Sequence, residues 1–308
     1  MERFKNCLLP LLFVLGAGAE NLPATNEFRV ATYNLENYLL APSGTRRAKS
    51  PAAREKVRAS IRESRADVLA LQEVGGLSAL MELREALKME GLDYPHWEWV
   101  AGWDTNIQIA VLSRLPIIAR RPHTNEAYLL FGRRFRVSRG FLEVDIRAGP
   151  RYMFTLMTAH LKSRRPVPEA DEAEMREQEA LLLRAAVDQR LARNPNANLV
   201  LVGDLNDVKD SKSTRAVIGR GRFALVDTRP AERNGDGDLN ANPRFEPRNV
   251  TWTHYYGQED TYSRIDYLLL SRGMLREWKP EGTEVVVVPN WGTASDHRPI
   301  VATFRAED

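Results

Sequence analysis

The chain has 308 residues, 43% of them hydrophobic and 28% charged, with 44 Lys and Arg against 41 Asp and Glu for a net charge of +3. That length supports a core needing neither disulfides nor a structural metal, and the composition excludes a disordered, collagenous or disulfide-stapled protein. So small a net charge does not by itself argue for a polyanionic partner.

Arg3 and Lys5 precede an apolar stretch over residues 8–15, and Ala17-Gly18-Ala19 follows. That order predicts a secretory signal peptide over 1–19, too short in its apolar part to span a bilayer. Its removal lowers the net charge by one and takes away Cys7, the only cysteine. The mature chain, 20–308, is therefore expected to be secreted or periplasmic, free of disulfides, monomeric and not inserted in a membrane.

Residues 28–33 (FRVATY) predict a buried strand. Ser50-Pro51 predicts a helix start, the helix running to about Ser64 with Val57 and Ile61 on one face. Residues 67–71 (DVLAL) predict a short strand ending near Glu73. Leu77, Leu80, Met81 and Leu87 recur at helical spacing over 77–90. Strands are expected at 107–112, 140–146 and 152–160, then a helix over 169–193 and a buried strand over 198–203 (NLVLVG). Residues 229–250, with Pro230, Pro243 and Pro247, predict a surface loop. Within it Asp236, Asp238 and Asn240 alternate as in a calcium loop, but Ala241 stands where glycine is expected and no matching Glu follows. Residues 265–270 and 284–288 are β-rich, and 299–304 forms a last strand. This order predicts two packed sheets with helices outside, although periodicity alone leaves a doubly wound sheet open.

Polar segments stand at the ends of these strand-like runs. They are TYNLEN with Asn34 and Glu36, LQEV with Glu73, TAHLKS with His160, GDLND with Asp204 and Asn206, RIDY with Asp266, and SDHRP with Asp296 and His297. Hydrolysis of a phosphodiester needs neutralised phosphoryl oxygens, a deprotonated water and a stabilised leaving oxygen. Glu73 is a hard anionic ligand, Asn34 a neutral one, and Asp204 and Asn206 share a face in extended chain. His297 changes charge near physiological pH. Each segment alone reads equally well as a turn or strand end.

Together, and in this order, they resemble the endonuclease/exonuclease/phosphatase superfamily over residues 29–304. The resemblance implies an α/β fold, a four-layer α/β sandwich of two packed mixed β-sheets flanked by helices. It implies a phosphodiester hydrolase using Mg²⁺ or Mn²⁺, with Asn34, Glu73 and Asp296 at the metal and Glu36 beside them. It also implies that Asp204 orients or deprotonates water, Asn206 fixes water or phosphate, Asp266 holds the His297 ring and His160 binds the scissile phosphate. YNLEN and HLKS are similar to segments of secreted bacterial nucleases in this superfamily. The expected substrate is therefore nucleic acid, DNA or RNA, with a phosphatase or a phospholipid or sugar-phosphate phosphodiesterase as the alternative. An inactive binding module is the alternative outside enzymology, and retention of every ligand position speaks against it.

Arg133, Arg134, Arg136 and Arg139 cluster within 133–139, and Arg164 and Arg165 follow TAHLKS. Arg114 and Arg139 are candidate phosphate contacts, although solvated arginines on strand edges would look the same. In WTHYYG, Trp252, Tyr255 and Tyr256 suit either base stacking or packing, and His254 is equally open. No apolar insertion suited to docking on a membrane stands out.

Overall fold

Alternation of apolar residues on both faces of the central strands decides the layering. A strand with one apolar face covers one core; strands apolar on both faces must be covered twice. The computed structural model describes residues 26–233 and 250–307. The expected signal segment and the Asp236, Asp238, Asn240 run lie outside the described residues.

One six-stranded sheet contains β1 (Glu27–Tyr38), β2 (Val68–Val74), β3 (His96–Val100), β4 (Gln108–Ser113), β15 (Trp278–Val285) and β16 (Ile300–Arg305), in the order β15-β16-β1-β2-β4-β3. The second contains β5 (Ile117–His123), β8 (Phe141–Arg147), β9 (Met153–His160), β10 (Leu199–Asp204), β11 (Val226–Asp227) and β14 (Asp266–Leu270), in the order β11-β14-β10-β9-β8-β5. Each is mixed: β1 runs parallel to β2 and β9 parallel to β10, while the remaining pairs are antiparallel. Two hairpins stand apart, β6 (Ala127–Leu130) with β7 (Arg133–Arg136), and β12 (His254–Tyr256) with β13 (Thr261–Ser263).

Val30, Val68, Val111, Val144, Leu156, Val202, Leu268 and Ala302 fill the space between the sheets. On the outer face of the first sheet, Leu69 and Leu71 meet Val57 and Ile61 of α1 (Pro51–Ser64) and Leu80 and Leu83 of α2 (Leu77–Met89). On the outer face of the second, Leu201 and Leu269 meet Leu183 and Val187 of α3 (Glu172–Arg193) and Val217 of α4 (Lys212–Ile218). The result is the expected four-layer sandwich; a single doubly wound sheet is excluded.

Local chemistry sets the helix ends. Ser50 accepts from the Ala53 N–H ahead of Pro51, and Arg65 closes α1 in the left-handed region at φ 50°. The third helix starts at Glu172 rather than 169, because Asp171 takes the capping position and accepts from the Ala173 and Glu174 N–H groups. The β-rich reading of 284–288 also needs correction. The strand covers Trp278–Val285, with its register shifted between Lys279 and Glu284, and only the Val286 N–H continues it, to Pro299 O.

Gly203 lies where β9 and β10 approach closely. Its φ is +137°, and a Cβ there would stand 2.0 Å from Ala159 O. Gly203→Ala is expected to destabilise the fold by about 3 kcal/mol or more, through strain and a clash with backbone. Urea unfolding measures this, and a loss under about 1 kcal/mol would show that the two strands separate freely there.

Candidate active site

The inward faces of the two sheets change character near one rim. Along β1 the inward residues run Val30, Thr32, Asn34; along β2 they run Val68, Ala70, Gln72; along β10 they run Val200, Val202, Asp204. The apolar rungs give way first to neutral polar groups. Gln72 Nε2 donates to Thr32 Oγ1 at 3.0 Å and to Thr158 Oγ1 at 3.3 Å, joining the first sheet to the second. One rung further out come the ionisable groups. Asp204 pairs in register with His160 on one side and with Asp266 on the other, so three strand ends present them side by side.

His297 arrives from the loop before β16. Ser295 Oγ donates to Asn34 O at 2.8 Å and accepts from His297 N–H at 3.0 Å, which pins that loop to β1. His297 Nδ1 donates to Asp266 Oδ2 at 2.8 Å. The ring's Nε2 therefore faces Asp204 Oδ2 and Asp296 Oδ1, each at 3.8 Å. Asp204 accepts from Asn206 N–H at 2.8 Å and from Asn34 Nδ2 at 3.0 Å, and lies 3.5 Å from His160 Nε2.

Glu73 reaches the same rim by a different route. Strict alternation would send it to the helix-covered face, but its φ is +59°. The pairing of β1 with β2 shifts between Asn34 and Tyr38, where Glu36 and Asn37 also have positive φ, 46° and 55°. Such bulges re-aim side chains. Glu73 Oε2 accepts from Asn37 N–H at 2.8 Å, and Oε1 lies 3.9 Å from His160 Nε2.

Burial and charge separate the titrating groups. Burial pushes the Asp204 carboxyl up to about 7, with Asp266 adding and His297 opposing. Burial holds His160 well below the usual histidine value, helped by the charges of Arg139, His297 and Arg46, so its ring is neutral. Burial also opposes charge on His297, yet Asp266, Asp204 and Asp296 together outweigh it and hold the imidazolium well above the usual range. Burial raises the Glu36 carboxyl, with Asp296 and Glu73 adding and Lys49 opposing.

Glu36, Glu73 and Asp296 thus crowd negative charge into one space. The Lys49 ammonium, 3.9 Å from Glu36 Oε2, donates instead to Ala294 O at 2.7 Å. Two buried polar atoms at the rim, His160 Nδ1 and Asp266 Oδ1, have no hydrogen-bond partner. Hard oxygen donors around an excess of carboxylate fit a divalent cation such as Mg²⁺ or Mn²⁺. The compact groups are His254 with Asp296 and His297, and Asp204 with Asp266 and His297, their ligand atoms within 4.8 Å; Glu73 belongs to neither.

Asn34, Glu36, Glu73, His160, Asp204, Asn206, Asp266, Asp296 and His297 all meet at this rim. Arg139 lies beside it, buried, with Nη1 donating to Leu161 O at 3.3 Å. Arg114 does not reach it. Its guanidinium pairs with Asp67 at 3.2 Å, ahead of β2. At about 3.3 Å per residue the far end of β2 is roughly 20 Å away. His254 does reach it, its ring 4.6 Å from that of His297. Trp252 stands against Tyr262 at 4.9 Å and Trp291 at 5.1 Å, and Tyr255 against Tyr262 at 4.7 Å. Lys49, Arg46 and Gln72 carried no sequence signal beyond their nearness to the motifs.

The sequence profile of the endonuclease/exonuclease/phosphatase family matches residues 31–297, from the strand carrying Asn34 to His297 itself. The chain belongs to the endonuclease/exonuclease/phosphatase family. It is a phosphodiester hydrolase of that type, and the family's enzymes are generally divalent-metal dependent. The fold is similar to that of the human Nocturnin catalytic domain, at 13% identity and TM-score 0.62 over 92% of this chain and 96% of that one. It is similar to sphingomyelinase C from Streptomyces griseocarneus at 18% identity and TM-score 0.61, over 91% and 99% of the two chains. An endonuclease/exonuclease/phosphatase from Bacteroides vulgatus aligns at 15% identity and TM-score 0.62, also over 91% and 99%. At these identities the likeness shows the fold alone. Curated protein sequences gave no match.

Because Asp266 bonds His297 directly, their losses should not add. Asp266→Asn is expected to lower turnover roughly 10²–10⁴-fold. The double variant with His297→Ala should be little worse than His297→Ala alone. Steady-state rates that multiply instead would show Asp266 acting independently of the ring.

Proposed function

We propose that this chain is a secreted or periplasmic nuclease that cleaves phosphodiester bonds of DNA or RNA with Mg²⁺ or Mn²⁺. The observation that carries the reading is the rung His160, Asp204, Asp266 with His297 set against it, bordered by guanidiniums. Arg46 bonds the Asn37 side chain, Arg139 bonds Leu161 O, and Arg164 Nε donates to Asn206 O at 3.1 Å. A polyphosphate strand would find cations on both sheets' edges around a carboxylate-lined centre.

Asn34, Glu73 and Asp296 would hold the cation, with Glu36 beside them, and it would neutralise phosphoryl charge and stabilise the leaving oxygen. Asp204, with a carboxyl near 7, accepts the proton of the attacking water as its oxygen bonds phosphorus. Asn206 positions that carboxylate through its N–H. The His297 imidazolium, oriented by Asp266, stands beside the Asp204 carboxylate and offers its Nε2–H to the phosphoryl oxygens. Neutral His160 offers Nε2–H to the scissile phosphate, and the bond to the leaving oxygen breaks.

A second reading, a phospholipid phosphodiesterase, is favoured by exposed apolar residues on the β6–β7 hairpin at the same rim. A substrate panel separates the two. Plasmid DNA, RNA, bis-p-nitrophenyl phosphate, inositol phosphates and sphingomyelin are each offered with Mg²⁺, Mn²⁺, Ca²⁺ or EDTA. Nucleic acid should be cut with Mg²⁺ or Mn²⁺ and spared in EDTA. Turnover of sphingomyelin with intact DNA and RNA would sink the nuclease reading.

A further inference from the structure

Between β5 and β8 the chain leaves the second sheet at the rim that carries His160. His123, the last residue of β5, pairs with Phe141, and Phe141 pairs with Ala159. The excursion is the β6–β7 hairpin, closed by the pair Leu130 and Arg133 around the two-residue turn Phe131-Gly132. Both turn residues have positive φ, 50° and 74°, as a type I′ turn requires. Glycine, asparagine and aspartate adopt that conformation readily; a bulky aromatic does not.

Phe131 is nevertheless there, 76% exposed, with Leu129 71% exposed beside it. An apolar side chain is held in water in a backbone state it disfavours, where asparagine would serve folding better on both counts. The hairpin's attachment to the body does not need it. Tyr128, buried beside the Glu179 carboxylate of α3, supplies that anchor. Alternation puts Leu129, Arg134 and Arg136 on the other face. There the Arg136 guanidinium lies 4.1 Å over the ring of Trp103, itself 63% exposed. Residues 127–136 hold three arginines and no acid.

We propose that this hairpin docks on an anionic phospholipid surface. Phe131 and Leu129 enter the apolar boundary, Trp103 lies at headgroup level, and Arg133, Arg134 and Arg136 meet lipid phosphates. Exposed apolar side chains beside cations match a surface that is apolar within and anionic outside. Leu129 decides against nucleic acid, because an exposed aliphatic chain has neither hydrogen bonds nor a ring to offer a base. Docking seats the His160 rim against the lipid, whichever phosphodiester the site cleaves.

The test is co-sedimentation of the full mature chain with vesicles of phosphatidylcholine alone and of phosphatidylcholine mixed equally with phosphatidylglycerol. The chain should bind the mixed vesicles, more weakly as salt rises. Phe131→Asn should lower the partition coefficient at least about tenfold while the thermal midpoint holds or rises. Arg133→Ala with Arg134→Ala should weaken binding and flatten its salt dependence. Hydrolysis of soluble bis-p-nitrophenyl phosphate should be unchanged in every variant. Failure of the unmodified chain to bind the mixed vesicles would overturn the proposal. So would undiminished vesicle binding by Phe131→Asn, or variants that lose affinity for an oligonucleotide and keep it for vesicles.

Discussion

Two twisted sheets hold together here because the inward side chains of one interlock with those of the other. Period-two alternation carries that interlocking, rung by rung, to the rim. The Val, Leu and Ala rungs make the contact, the Thr32, Gln72 and Thr158 rung bridges the sheets with hydrogen bonds, and the next rung carries Asn34, His160, Asp204 and Asp266. The site is thus the place where the inter-sheet core runs out. Its residues inherit the core's rigidity and its low polarisability, and the second explains why burial leads the shifts of Asp204 and His160 and works against the charge on His297.

Three neighbouring groups then titrate apart. Asp266 supports charge on His297, His160 is kept neutral by burial and by the arginines, and Asp204 between them stays near neutrality. Separation of this kind lets one rim offer a proton acceptor and two different donors at once. The left-handed backbone at Glu36, Asn37 and Glu73 belongs to the same design, turning the Glu73 carboxylate, which alternation would bury under helices, back toward the rim.

The central strands were legible because they are apolar on both faces and short, as at 28–33, 67–71, 152–160 and 198–203, and the polar motifs sat at their ends. The edges were not. Residues 117–123 pass through Arg120, Arg121 and Pro122 and raised no strand expectation, yet they pair with β8. LLFGRRFR showed only its arginines in one dimension; its exposed apex appears once pairing and turn geometry are known. Arg114 was misplaced because a sequence does not say at which end of a neighbouring strand a residue emerges. His254 was ambiguous for the converse reason, since a short bridge to His297 brings it in from a separate hairpin.

The central claim is that the rim's surplus carboxylate exists to hold a divalent cation beside Asp204 and His297. Titration of Mn²⁺ into the unmodified chain and into Glu73→Gln, with turnover measured on the same samples, tests it most directly. The substitution keeps shape and removes one hard anionic ligand. Mn²⁺ affinity should fall about tenfold or more, turnover at least about 10²-fold, and the Mg²⁺ requirement should rise. Unchanged Mn²⁺ affinity together with normal turnover at low Mg²⁺ would contradict the account.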